Sequence, residues 1–148
     1  MSGSLVPFPS DRKVLVLDSW PVMEWLKLRE PATTRFDELL DDAKAGRVHL
    51  VMSTINLGEV YYNCIYLWQR VRADELLATF RELLIEIFHP SEDDTLRAAR
   101  LKGLYQGAYG DAFAAVLAMD RIAPVITGDR DFLKLQNAGV LVVEWLGK

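Results

Sequence analysis

Cysteine and histidine are scarce in this sequence, which has one cysteine, Cys64, and two histidines, His49 and His89, among its 148 residues. A lone thiol cannot form an intrachain disulfide, provides no thiol pair for zinc and fits a reducing cytoplasm. Long apolar runs are also lacking, because stretches such as 83–88 are far shorter than the roughly 20 residues of a membrane span. We therefore expect a soluble cytoplasmic protein that does not enter the membrane.

Basic residues are outnumbered by acidic ones, since 17 Lys and Arg against 21 Asp and Glu give a net charge of -4 and a pI of about 5.2. This balance argues against a broadly cationic nucleic-acid-binding surface. It does not exclude a nucleic-acid enzyme, because a group of metal-binding carboxylates would itself lower the pI. A hydrophobic fraction of 51% excludes a disordered chain. We assign residues 1–12, which lack the apolar core of a secretory signal, to a flexible leader and residues 13–148 to one domain.

Short apolar segments alternate with helical ones along this domain. We predict strands at 13–17, 47–52, 84–89, 124–126 and 140–144, and helices at 21–28, 33–45, 53–72, 73–83, 91–104, 111–122 and 131–136. This alternation indicates an α/β fold in which helices cover both faces of a mainly parallel, five-stranded sheet. Ligands of such sheets bind at the carboxyl ends of the strands, near the switch in strand order.

Four carboxylates are predicted to lie at that edge of the sheet. Asp18 follows the first strand directly, and Asp129 follows the fourth strand. Glu59 falls in the second turn of the helix after the second strand. Asp111 opens the helix before the fourth strand and joins the other three if the glycine-rich segment before it brings that helix start to the same edge. Each acid alone has an ordinary explanation as a turn residue, a helix cap or a solvated helix residue. Their convergence at one edge favours a shared purpose.

A hard divalent cation is the purpose that fits these acids best. Carboxylates within a few ångströms of one another must take up protons or separate unless a counterion relieves their repulsion. Mg²⁺, for which Mn²⁺ can substitute, prefers carboxylate oxygen, whereas zinc is disfavoured by the absence of a His or Cys cluster. A carboxylate-held Mg²⁺ suits phosphodiester hydrolysis, because it lowers the pKa of a water and neutralises charge on the phosphate.

The acids lie in four short segments, Val14-Leu-Val-Leu-Asp18-Ser19, Ser53-Thr-Ile-Asn56-Leu-Gly-Glu59-Val-Tyr-Tyr62, Tyr109-Gly-Asp111-Ala-Phe-Ala-Ala115 and Thr127-Gly-Asp129-Arg-Asp-Phe132. Their order and spacing resemble those of the PIN-domain ribonucleases, in particular the VapC-type toxins of toxin–antitoxin pairs. The resemblance spans about residues 13–146. It implies a three-layer α/β/α sandwich, Mg²⁺-dependent endoribonuclease activity on RNA, a homodimer and a cognate antitoxin protein that blocks the site.

The resemblance also implies roles for individual residues. Asp18, Glu59, Asp111 and Asp129 would be the metal-binding catalytic acids. Supporting positions would be Ser19, Asn56 and Thr127, with Asp131 as a second-choice acid. One position departs from the pattern, because Ala108 stands where the family often has a serine three residues before the third acid.

Cations near the acids are candidate RNA contacts. Arg97, Arg100 and Lys102 precede Asp111 along the chain, and Arg130 and Lys134 flank Asp129. Such residues would position phosphates with little regard to base sequence, although solvated helix faces explain each of them equally well. Aromatic residues are open to two interpretations: Trp20, Trp25 and Trp68 suit core packing or a dimer contact better than base stacking, and Tyr61, Tyr62 and Tyr66 suit an interface as well as a core.

Other functions remain open from the sequence alone. A PIN-like domain could be a catalytically silent binding or structural subunit, although the intact acids count against it. A receiver-like phospho-acceptor module would need an acidic pair after the first strand and a lysine after the last. Here Asp18 is followed by Ser19 and Trp20, and Val143 leads into Glu144. A phosphatase with an aspartate nucleophile would need a second Asp where Trp20 stands.

Overall fold

We describe residues 12–148 from a computed structural model of the chain, so the predicted leader lies outside the described residues except for Arg12. Five parallel strands form one sheet: β1 (Lys13–Leu17), β2 (Val48–Ser53), β3 (Glu86–Phe88), β4 (Val125–Thr127) and β5 (Val143–Trp145). Their order across the sheet is β3-β2-β1-β4-β5. The five-stranded parallel sheet expected from the sequence is confirmed.

Helices cover both faces of this sheet. They are α1 (Ser19–Leu26), α2 (Ala32–Lys44), α3 (Thr54–Arg81), α4 (Glu92–Tyr105), α5 (Tyr109–Arg121) and α6 (Asp131–Asn137). The first three pack on one face, α5 and α6 pack on the other, and α4 packs against α5. The chain is therefore a three-layer α/β/α sandwich, as the resemblance implied.

The central strands are buried on both faces, and alternate side chains enter different layers. Leu15 and Leu17 of β1 pack with α1, α2 and α3, whereas Val16 packs with α5 and α6. In β2 the same alternation separates Leu50 and Met52 from Val51. Because successive side chains of a strand point to opposite faces of the sheet, each of these short apolar strands contributes to both hydrophobic cores.

The strand order reverses at β1, which has β2 on one side and β4 on the other. Val16 and Leu17 pair with Val125 and Ile126, and the Asp18 N–H donates to the Ile126 carbonyl over 3.4 Å. This register brings the first residues beyond β1 and β4 to the same level. A crevice opens there because the connections leave the two strands toward opposite faces.

The strand order also tests the receiver-like alternative. Receiver-type modules have the flavodoxin-like order 2-1-3-4-5, whereas this sheet has the order 3-2-1-4-5. The receiver-like interpretation is therefore wrong. Among the described helices, none is both long enough and apolar enough to cross a lipid bilayer.

Several element boundaries differ from the sequence prediction. The break in the long third helix falls at Gln69, whose φ of 67° is left-handed, and not between residues 72 and 73. No glycine or proline marks this break; it allows the second half of α3 to bury Ala73 and Phe80 in the core. The last strand is shorter than predicted and begins at Val143, because the Val140 N–H instead donates to the Leu135 carbonyl at the end of α6.

Candidate metal centre

Asp18 is the most deeply buried acid of the crevice, with 1% of its surface exposed. One oxygen, Oδ2, accepts a hydrogen bond from the Thr127 hydroxyl at 2.9 Å, and the Ser19 backbone N–H also donates to the carboxylate. The other oxygen, Oδ1, is buried without a hydrogen-bond partner. Burial, and after it the charges of Glu59 and Asp129, raise the pKa of Asp18 to about 7 despite these hydrogen bonds.

Thr127 connects Asp18 to the acids of the β4–α6 turn. Its hydroxyl donates to Asp18 and accepts from the Asp129 backbone N–H at 2.9 Å. Asp129 Oδ1 in turn accepts from the Asp131 backbone N–H at 3.0 Å. These local bonds, in which short polar side chains close tight turns, fix the carboxylates of Asp18 and Asp129 relative to each other.

Asp111 lies in the first turn of α5, where the helix dipole favours a negative charge. It is 6% exposed, and its Oδ2 is buried without a hydrogen-bond partner. Burial first, and then the charges of Asp18, Asp129 and Glu59, raise the pKa of Asp111 to about 9. The prediction that Asp111 opens the helix is displaced by two residues, because α5 begins at Tyr109 after the N-cap Ala108.

The tightest group of metal-ligating oxygens in the described part of the chain belongs to Asp111, Asp129 and Asp131. One carboxylate oxygen from each lies within 4.8 Å of the others. Asp131, a second-choice acid from the sequence, therefore belongs to this group, in which it is partly buried. Asp18 and Glu59 lie close enough for their charges to act on Asp111.

Glu59 reaches the crevice from α3 and is held by Asn56, one turn earlier on the same helix. The Asn56 side chain is fully buried, and its Nδ2 donates to Glu59 Oε1 at 2.8 Å and to the Gly110 carbonyl at 3.1 Å. One amide thus ties α3 to the first turn of α5. The Asn56 Oδ1 atom is buried without a hydrogen-bond partner.

Gly110 is a site residue for which the sequence analysis gave no separate reason. A Cβ at this position would overlap the Glu59 carboxylate, so only glycine leaves room for that acid beside α5. Gly128 has the same relation to the Trp20 indole, which packs against the core beside β4. The two glycines are visible in the Tyr-Gly-Asp and Thr-Gly-Asp sequences, but the side chains that require glycine at these positions are distant in the chain.

The predicted cationic contacts have different environments. Arg97 forms two hydrogen bonds with Asp120 of α5, at 2.8 and 2.9 Å, and Lys102 donates to the Gly107 carbonyl at 2.9 Å. Arg100 and Arg130 are exposed and form no ion pair with a described residue. The Arg97 pair fastens α4 to α5, which is a structural role, whereas Arg130 lies beside Asp129 and is open to a ligand.

The chemistry of this donor set fits a hard divalent cation. Carboxylates from the residue after β1, from α3, from α5 and from the β4–α6 turn converge, and two of them have buried oxygens without a partner. Burial of like charges is costly unless they are protonated or neutralised. Carboxylate oxygens are ligands that Mg²⁺ and Mn²⁺ accept.

The chain is similar to one protein family and to several solved structures. The PIN-domain family model matches residues 15–138. A DNA-bound VapBC from Salmonella typhimurium aligns with a TM-score of 0.66 at 17% identity, over 90% of this chain and 98% of that chain. VapBC-5 from Mycobacterium tuberculosis, from a family of toxin–antitoxin systems, aligns with a TM-score of 0.59 at 20% identity, over 89% and 98%. VapC20 from the same organism, a sarcin-ricin-loop-cleaving toxin, aligns with a TM-score of 0.66 at 15% identity, over 81% and 93%. No curated protein sequence matches the chain.

Proposed function

Because the chain belongs to the PIN-domain family, we propose that it is a metal-dependent endoribonuclease that hydrolyses RNA phosphodiester bonds. The observation that carries the proposal is the pair of buried carboxylate oxygens, one of Asp18 and one of Asp111, that have no hydrogen-bond partner among converging acids. Such a group must bind protons or a cation. Mg²⁺, with Mn²⁺ as its substitute, is the cation that an oxygen-only donor set selects.

Each of the four acids has a role in this proposal. Asp18 and Asp111 hold the principal ion, and Glu59 and Asp129 complete the acidic pocket. When bound, a divalent cation supplies a Lewis acid that polarises the phosphate and lowers the pKa of a water. Glu59, whose carboxylate is oriented by Asn56, takes the proton of the attacking water. Attack on phosphorus expels the 3′ oxygen, which takes up a proton, so the products carry 5′-phosphate and 3′-hydroxyl ends.

The residues around the acids then act as positioning groups. Thr127 keeps Asp18 and the Asp129 backbone in a fixed relation, and Asn56 keeps Glu59 beside α5. Ser19, the first residue of α1, contributes its backbone N–H to Asp18. Asp131 provides a further oxygen beside Asp111 and Asp129. Arg100, Lys102 and Arg130 are proposed as phosphate contacts, whereas Arg97 is proposed to fasten α4 to α5, because Asp120 already holds it.

The biological role we propose is that of a VapC-type toxin controlled by a cognate antitoxin protein. Structures of similar fold include VapBC-5, from a family of toxin–antitoxin systems, and VapC20, a toxin that cleaves the sarcin-ricin loop. On this proposal the chain works in the cytoplasm as a homodimer, and its substrate is a cellular RNA.

Cleavage of total cellular RNA by the purified protein tests the proposal. We expect discrete fragments with Mg²⁺ or Mn²⁺, and none with EDTA or with Asp18→Asn. The matched control is Asp41→Asn, which changes an exposed acid of α2 that has no side-chain partner in the described residues and should leave the fragments unchanged. A folded wild-type protein that neither binds Mn²⁺ nor cleaves RNA would overturn the proposal and favour a non-catalytic binding subunit.

A further inference from the structure

One face of α3 carries an apolar, exposed stripe that passes through the acidic site. Ile55, Glu59, Tyr62 and Tyr66 follow one another at spacings of four, three and four residues, which places them on one side of a helix. The helix has no break before Gln69. Ile55 is 39% exposed, Tyr62 45% and Tyr66 79%. Glu59 is the one acid of this stripe, and aromatic rings continue it away from the crevice.

The Tyr62 ring lies beside the acids, and the Tyr66 ring lies beside that of Tyr62. Burial first, and then the nearby charge of Glu59, with a smaller contribution from Asp111, raise the pKa of Tyr62. The ring centroids of Tyr62 and Tyr66 are 5.6 Å apart, with the planes inclined at 56°. At a rise of 1.5 Å per residue, Tyr66 lies about 10 Å along the helix from Glu59, which is about the length of one or two extended nucleotides.

The neighbouring Tyr61 shows what a structural tyrosine looks like on this helix. Its hydroxyl donates to Asp74 across the break at Gln69, and its ring packs against the core. By contrast, the hydroxyls of Tyr62 and Tyr66 hydrogen-bond to no described residue, and neither ring belongs to a described core cluster. Packing within the described residues therefore does not explain why two large aromatic side chains lie here.

We propose that Tyr62 and Tyr66 form a stacking platform for unpaired bases next to the bond that is cleaved. This inference rests on the proposed nuclease function and deepens it. Aromatic side chains stack on bases of any sequence when the bases are free of a duplex. A base is uncharged, so it can lie on these rings beside the carboxylates of Glu59 and Asp111 without the repulsion that an acidic peptide would meet there. The platform thus holds the bases while the acids face the phosphate.

The test separates the rings from their hydroxyls and from general effects on α3. Tyr62→Leu and Tyr66→Leu, singly and together, remove the rings, whereas Tyr62→Phe and Tyr66→Phe keep them. Leu67→Ala is the matched control, because Leu67 is exposed on the same helix and adjacent in sequence, but is turned away from the stripe. Binding of a fluorescein-labelled, short single-stranded RNA of mixed sequence is measured by anisotropy in the Asp18→Asn background, where no cleavage interferes. Cleavage of the same RNA is measured with Asp18 intact.

We expect the double Leu variant to weaken RNA binding about tenfold or more, since stacking contributes of this order for each base. The Phe variants and Leu67→Ala should bind within about twofold of their parent. The loss should shrink when the RNA carries abasic nucleotides at the stacked positions, because the rings then have nothing to hold.

The outcomes distinguish this inference from the function on which it rests. Cleavage and binding that are unchanged in the Leu variants would overturn the platform and leave the nuclease intact. Ring-dependent binding to RNA that the wild-type protein never cleaves would support the platform and overturn the nuclease. Leu variants that bind RNA normally but lose self-association in light scattering would also overturn the platform, because the stripe would then be a contact between two copies of the chain.

Discussion

Replacing Asp18 by asparagine should flatten the pH dependence of stability in the metal-free protein. The carboxyl is buried, with one oxygen bonded to Thr127 and the other without a partner. The pKa of Asp18 is raised from 3.8 to about 7, so the folded state binds its proton more tightly than the unfolded state does. Stability from this group is therefore fully present below about pH 4 and is lost as the pH rises through 7.

The size of this effect follows from the pKa of Asp18. A rise from 3.8 to about 7 corresponds to about 4 kcal/mol at full ionisation, and relaxation of the site in solution reduces it, so we expect about 2–4 kcal/mol. Asparagine keeps an oxygen acceptor for the Thr127 hydroxyl but carries no titratable proton. Its unpaired amide costs about 1–3 kcal/mol, which shifts its whole curve down without adding a slope.

Urea unfolding in excess EDTA, followed by circular dichroism between about pH 4 and pH 8, measures this difference. The free energy of unfolding of the wild-type protein should fall across this range, and that of Asp18→Asn should fall by about 2–4 kcal/mol less. Asp41→Asn should follow the wild-type curve, because Asp41 is exposed. Parallel curves for the wild type and Asp18→Asn would refute the argument that Asp18 is held protonated by its buried position.

Four further changes test other contacts of the site. Gly110→Ala should weaken Mn²⁺ binding about tenfold while the melting temperature changes little, because the new Cβ displaces the flexible Glu59 carboxylate and not the backbone. Calorimetric titration measures this affinity. An unchanged affinity would mean that Glu59 does not reach the ion. Thr127→Val should lower the free energy of unfolding by about 1–3 kcal/mol, since it removes the donor to Asp18 and the acceptor of the Asp129 N–H. Chemical denaturation measures this change, and an unchanged free energy of unfolding would contradict the two hydrogen bonds of the Thr127 hydroxyl. Arg130→Gln should weaken RNA binding and reduce its salt dependence by about one phosphate contact, which anisotropy at several salt concentrations can detect. Arg97→Gln should leave RNA binding unchanged, because the Arg97 side chain is already bonded to Asp120; an equal loss in the two Arg variants would contradict their different assignments.

The sequence was sufficient to predict the features of the site that depend on strand ends. Asp18 and Asp129 follow short apolar strands, and parallel pairing of β1 with β4 brings such positions to one level. The place of Asp131 beside Asp111 could not be predicted, because it depends on the turn that Asp129 Oδ1 closes with the Asp131 N–H. That bond is local, but its consequence for a residue on another helix is not.

Features that depend on contacts between helices could not be predicted in the same way. The need for glycine at Gly110 arises from the Glu59 carboxylate, which lies 51 positions earlier in the chain and on another helix. Arg97 has the sequence context of a free cation, but Asp120 on α5 binds it. No glycine or proline in the sequence marks the break in α3 at Gln69. The break allows Ala73 and Phe80 to be buried in the core and does not follow from a local turn preference. Periodicity and spacing carry no information on these distances.

The acids differ in how firmly their surroundings hold them, so a perturbation should displace some of them before others. Asp18 and Asp129 are joined through Thr127 on the buried edge of the sheet, whereas Glu59 depends on one amide, that of Asn56, and on one gap at Gly110. The sheet edge rests on two apolar layers. The contact between α3 and α5, by contrast, holds Glu59 close to buried carboxylates that repel it. Small disturbances should therefore displace Glu59 and abolish its part in the chemistry before they disturb Asp18 or the fold, and metal affinity should respond to them earlier than the free energy of unfolding does.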